Sequence, residues 1–92
     1  MATKLKLQRR LDSARAEELC KDLKGLRGKD IVLDTKDVEL VGALCLEVLL
    51  ASVSIWKMDG KTISLANNTS HIDENLRRFG LTSGDIQTGA AA

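Results

Sequence analysis

The stretch that most limits what this chain can fold into runs from Val38 to Gly60, VELVGALCLEVLLASVSIWKMDG. Between Leu40 and Trp56 its one charged residue is Glu47, and its small hydrophilic breaks are Gly42, Ser52 and Ser54. A run this apolar is a membrane span, a fully buried helix, or a helix with one face in a core and another on a partner. A span needs about 20 apolar residues. This run is shorter, carries Glu47 and lacks flanking basic clusters, so membrane insertion is not expected. Ala43, Leu46, Leu50 and Val53 recur at i, i+3, i+7 and i+10, with Leu49, Val53 and Trp56 beside them, which is a helical period. A surface helix needs an apolar arc of only about 100°, and Leu44, Val48 and Ile55 fall outside it. That surplus means either deep burial or a docking surface. Gly42 serves as N-cap, and Asp59-Gly60 supplies the stop.

The rest of the chain reads around this helix. Lys4-Leu5-Lys6-Leu7-Gln8 alternates with period two, a half-buried strand whose charged outer face suits a sheet edge. Asp12 or Ser13 then caps a helix running to about Leu23, with Ala16, Leu19, Cys20 and Leu23 inward and a Glu17–Lys21 pair outward. Ile31-Val32-Leu33, ending at Asp34, is an uninterrupted apolar run of the kind found mid-sheet under helices. Thr35 to Leu40 reads as a loop. Beyond the central helix, Thr62-Ile63-Ser64-Leu65 alternates as a third strand, and Asn67 to Ser70 is a loop and cap. Ile72, Leu76 and Phe79 give the last helix one apolar face, and Gly80 stops it. A fourth strand is expected either within Leu81 to Thr88 or in the first residues. Alternating strands and helices imply an α/β domain with a small, mixed, largely parallel sheet and about three helices.

With 92 residues, one domain is expected, spanning 1–88, followed by a disordered tail at 89–92. Trp56 and Phe79 are the only aromatics, so the core is aliphatic. A formal net charge of +1 and the lack of a basic patch interleaved with aromatics argue against nucleic-acid binding. The N-terminus alternates charge with leucine and carries no secretory apolar segment, so a cytoplasmic location is expected. Cys20 and Cys45 fall on different helices, far from CxxC spacing, and read as reduced core residues. Cys45 lies in the first helical turn, where the helix dipole lowers a thiol pKa, so a reactive thiol is the alternative.

Little in the chain assembles chemistry. His71, the single histidine, has no metal-ligand spacing to a cysteine or acid and reads as a solvated helix start. Asp34, Asp37 and Glu39 cluster before the central helix and invite a Mg²⁺ site, although acids there also simply complement its dipole. Phosphate-cradling glycine motifs and the GxSxG nucleophile elbow are missing. A non-enzymatic protein without cofactor is expected.

The sequence also resembles a family. Asp30-Ile-Val-Leu-Asp34, Val38-Glu-Leu, the apolar helix, Asp59-Gly60-Lys-Thr-Ile-Ser-Leu65, then Ile72 through Leu76 to Phe79-Gly80-Leu81 are similar to a STAS domain, the fold of bacterial anti-sigma factor antagonists. The likeness covers roughly residues 5 to 81. Phosphorylatable members open the central helix with Asp-Ser-Ser-Gly-Leu-Gly or Asp-Ser-Thr, whose hydroxyl a partner kinase phosphorylates. The matching stretch here is Gly42-Ala43-Leu44-Cys45-Leu46-Glu47, so the aspartate and the hydroxyl are both gone. A closer resemblance is to the small stand-alone STAS proteins encoded among alphaproteobacterial chemotaxis genes. That resemblance implies binding to the chemotaxis histidine kinase and help in draining phosphate from a response regulator that acts as a phosphate sink. The other role it implies is anti-sigma factor antagonist, or another STAS adaptor, without the phosphorylatable serine. It further implies a chain that is monomeric when free and binds its partner through Val41, Gly42, Ala43, Leu44 and Glu47.

Overall fold

A computed structural model describes residues 2–88; the tail expected at 89–92 lies outside the described residues. Three parallel strands form the main sheet: β1 (Thr3–Lys6), β3 (Ile31–Asp34) and β5 (Ile63–Ala66), in the order β1-β3-β5. Thr3 pairs with Ile31 and Ile31 with Ile63, so one register crosses the sheet. The helices are α1 (Ala16–Gly25), α2 (Ala43–Met58) and α3 (Ser70–Arg77). This is the α/β, STAS-like architecture expected from the sequence, with the Ile31–Asp34 strand central and the lysine-bearing strand at an edge.

The strand order explains the layering. Each crossover, through α1 and then α2, steps one strand further in the same direction. Right-handed crossovers of that kind put both helices on one face of the sheet. Ile31, Leu33 and Ile63 point to that face and are buried, together with Leu19 and Leu23 of α1 and Leu46, Leu49, Val53 and Trp56 of α2. Lys4, Lys6, Val32 and Ser64 alternate onto the other, more open face. Trp56 anchors the aliphatic core at 2% exposure, its indole N–H donating to the Lys29 carbonyl at 2.7 Å. Burying a large side chain contributes about 1.5–3 kcal/mol, so this layer dominates the stability.

Several expectations need correction. Thr35 to Leu40 is not all loop. Leu40–Val41 is a two-residue strand, β4, pairing in parallel with β2 (Arg10–Leu11) as a second sheet. Residues 81–88 form no strand but a 3-10 turn at Ser83–Ile86, after which side chains close the edge of β5. The Ile63 N–H donates to the Thr88 hydroxyl at 2.8 Å, and the Leu65 N–H to the Gln87 side-chain oxygen at 3.2 Å. Phe79 is exposed rather than inward. With Gly80 at φ +73, the Leu81 N–H bonds back to the Leu76 carbonyl and the Gly80 N–H to Arg77, a Schellman ending. That ending turns Leu81 onto the core in place of Phe79. On α2, Ala43 is exposed and Leu50 half-buried, so the inward face is the one holding Leu46, Leu49, Val53 and Trp56.

Candidate docking site at the start of α2

The entry to α2 is fixed from two sides. The Glu39 N–H donates to the Arg9 carbonyl at 2.7 Å, and the Gly42 N–H to the Leu11 carbonyl at 2.8 Å, tying β4 to β2. From α3, Asn75 reaches across: its Oδ1 accepts the Val41 N–H at 3.2 Å while its amide donates to the Glu39 carbonyl at 3.0 Å and to the His71 carbonyl at 2.7 Å. Asn75 is buried, so α3 sets where the first turn of α2 stands.

Gly42 is the N-cap, in extended conformation (φ −88, ψ 168), and the helix begins with the Leu46 N–H on the Gly42 carbonyl at 3.0 Å. No side chain caps the turn, which leaves first-turn N–H donors to solvent or a partner. A Cβ at position 42 would lie 3.2 Å from the Leu11 carbonyl oxygen, so any side chain there requires β2 to give way slightly. Ala43 is exposed, Leu44 is 50% exposed, and Glu47 stands in solvent one turn on. Val41, expected on this surface, is instead only 2% exposed and belongs to the core. It stands in register with Leu11 of β2, which is buried with it in the same core.

Cys45 is fully buried, and its thiol donates to the Asp12 carbonyl at 3.3 Å. Burial, reinforced by the Asp12 charge, pushes its pKa up. This overturns the reactive-thiol alternative. Cys20 is half-buried and lies in a groove of about 380 Å³ between α1 and α2. Leu44, Val48, Ala51 and Ile55 form one wall of that groove and Ala16 and Cys20 the other, with Glu47, Lys24 and Arg27 at its margins. The surplus apolar residues of the central helix therefore face neither the sheet nor bulk water alone, but a furrow.

The acids before α2 do not converge. Asp34 accepts from the Lys36 N–H at 3.0 Å and the Asn67 amide at 3.1 Å, with Lys4 at 3.4 Å; these bonds hold its pKa below the ordinary carboxylate value. Asp37 pairs with Lys6 at 2.9 Å, and Glu39 pairs with Arg9. Both pairs border a polar cleft that also takes in Lys36 and His71, an exposed residue of the first turn of α3. Among the described residues no group of three or more His, Cys, Asp or Glu is placed to hold a metal ion, and no helix is long and apolar enough to cross a membrane.

Sequence reasoning found Gly42, Ala43, Leu44 and Glu47 as neighbours on one surface. It missed Asn75, although this residue sits at helical spacing on the apolar stripe of Ile72 and Leu76, where a polar side chain signals a buried hydrogen bond. It singled out Leu44, Val48 and Ile55 as a surplus but missed Ala51, which completes with them a second helical face at i, i+4, i+7 and i+11. No curated protein matches the chain. A family profile described as "Mlab, STAS domain" matches residues 1–88. Fold, central helix and family match agree, and the chain belongs to the STAS domain family.

Proposed function

We propose that this STAS domain is a non-enzymatic, cytoplasmic interaction module of bacterial signalling that binds the chemotaxis histidine kinase through the start of α2. By doing so it speeds loss of phosphate from a response regulator acting as a phosphate sink. The observation that carries this reading is Leu44, half exposed at the first turn of α2 where switch-type relatives place a phosphorylatable hydroxyl. Apolar surface at that point favours a lasting contact over one gated by charge. Thr35, the nearest hydroxyl on the preceding loop, is fully buried and donates to the Ala66 carbonyl at 3.1 Å, so it offers a kinase no substitute target. Glu47 lies at the polar rim of the contact. The chain is monomeric until it meets the kinase.

Calorimetry with the purified kinase tests this. Wild type binds, whereas Leu44→Glu abolishes binding while its thermal melt stays cooperative. Wild type added to kinase and phosphorylated regulator speeds loss of the regulator's phosphate, and the variant does not. If the wild type binds no histidine kinase, the anti-sigma factor antagonist or another STAS adaptor role, which family membership favours, takes its place.

A further inference from the structure

We propose that the furrow between α1 and α2 receives a single amphipathic helix of the partner, running antiparallel to α1 and α2, with acidic residues near its start and a basic residue about two turns on. This rests on the docking role proposed above and extends it to the partner's chemistry and direction.

Both α1 and α2 connect successive parallel strands in the same sense, so they run parallel to one another. The wall from Leu44 to Ile55 is about 16 Å long at 1.5 Å per residue, which accepts three turns of a helix. The walls are apolar and the margins carry opposite charges at the two ends. Glu47 stands near the helix N-termini; Lys24 and Arg27 stand at the far end, opposite Ile55. Among the described residues neither Glu47 nor Lys24 belongs to an ion pair, whereas Arg27 is held by Asp59 at 3.0 Å. Glu47 and Lys24 are thus the two margin charges left for a partner. Ile55 lies eight residues past Glu47, about 12 Å along the axis, which sets the spacing between the acid and the base on the bound helix.

Dipoles select the same direction as the side chains. A helix prefers acids in its first turn and bases in its last, and antiparallel dipoles attract. A partner helix that starts beside Lys24 and Arg27 satisfies both preferences and brings its own base over Glu47. The reverse direction sets like charges against each other at both ends.

Two synthetic helical peptides of identical composition and apolar stripe, one acid-first and one base-first, provide the test, with amide chemical shifts and a fluorescent competition assay as readouts. The acid-first peptide binds about ten-fold tighter, as two exposed ion pairs changed to two like-charge contacts imply. Its shifts map to Ala16, Cys20, Val48, Ala51 and Ile55. The double variant Lys24→Glu with Glu47→Lys, both positions exposed, keeps the wild-type melt and inverts the preference. Equal binding of the two peptides, binding of neither, shifts on the open sheet face, or a self-associated dimer through α1 and α2 would each overturn the proposal. Kinase binding that falls with Leu44→Glu but ignores the double charge swap also overturns it, and leaves the proposed function standing. Orientation-dependent peptide binding without any kinase binding does the reverse.

Discussion

Replacing Asn75 with alanine isolates the link between α3 and the docking surface. The side chain satisfies the buried Val41 N–H and the Glu39 carbonyl, and neither group gains another protein partner when it is removed. The His71 carbonyl is an intrahelical acceptor and loses less. An unsatisfied buried polar group costs about 1–3 kcal/mol. The Val41 N–H bears the fuller penalty, because Glu39 is exposed and its carbonyl can take up water. We expect a loss of about 2–4 kcal/mol, a large share of the ~5–15 kcal/mol of a typical domain. For a domain of this size that lowers Tm by roughly 10–25 °C. Urea unfolding followed by Trp56 fluorescence measures it, with Glu74→Ala, one residue away and exposed, as a control expected within about 0.5 kcal/mol of wild type. Asn75→Asp keeps the acceptor for Val41 but sets a carboxylate against two carbonyls, so it is at least as damaging at neutral pH and partly recovers on acidification. An Asn75→Ala loss below about 1 kcal/mol, with an unchanged denaturant slope, would mean that β4 holds its place without α3.

Other expectations follow from the same packing. Leu46→Asp unfolds the domain, because an unpaired buried carboxylate costs several kcal/mol, whereas Glu47→Lys leaves the circular dichroism melt within about 0.5 kcal/mol of wild type. In native protein a thiol reagent titrates Cys20 alone, and Cys45 reacts only on unfolding; two fast thiols in the folded state would contradict its burial. Asp30, Asp34 and Asp59 have pKa values held below the ordinary one, by the Thr62 N–H, the Lys36 N–H and Arg27 respectively. Their contribution is therefore complete above about pH 4 and lost as pH falls through their lowered values. Denaturant midpoints should be close to one another at pH 7 and pH 5 and fall at pH 3, with a shallower acid loss for Asp34→Asn. Incubation with cell extract and ATP should leave the hydroxyls beside α2 unmodified, and stoichiometric phosphate on one of them, such as Thr35, found by mass spectrometry, would contradict a constitutive state.

Where local periodicity is long, the fold was legible. The bounds of α2 follow from Gly42 and the Asp59-Gly60 stop, and the buried Ile31–Asp34 strand from its uninterrupted apolar run. The β2–β4 pair was not legible, since two residues carry no period and its geometry depends on partners far away in sequence. Phe79 misled because the helical stripe was carried past Arg77, where α3 ends and the turn closed by Gly80 begins. The site was half legible. The lost hydroxyl and aspartate are written in Gly42-Ala43-Leu44, and the surplus apolar residues announced a second face. What that face adjoins depends on α1 lying parallel to α2, which tertiary packing alone decides. Val41 escaped because the β2–β4 pairing joins residues distant in sequence, whereas Asn75 left a signal, a polar side chain on the apolar stripe of Ile72 and Leu76, whose partner across the fold the sequence does not name.

Amide hydrogen exchange of the protein, with and without the purified histidine kinase, addresses the docking surface most directly. Added kinase should slow exchange in the first turns of α2, over residues 43–48, and along the facing residues of α1, while the open sheet face around Lys4, Val32 and Ser64 exchanges as before. Protection confined to that sheet face, with the start of α2 unchanged, would contradict the assignment of Leu44 and its neighbours as the docking surface.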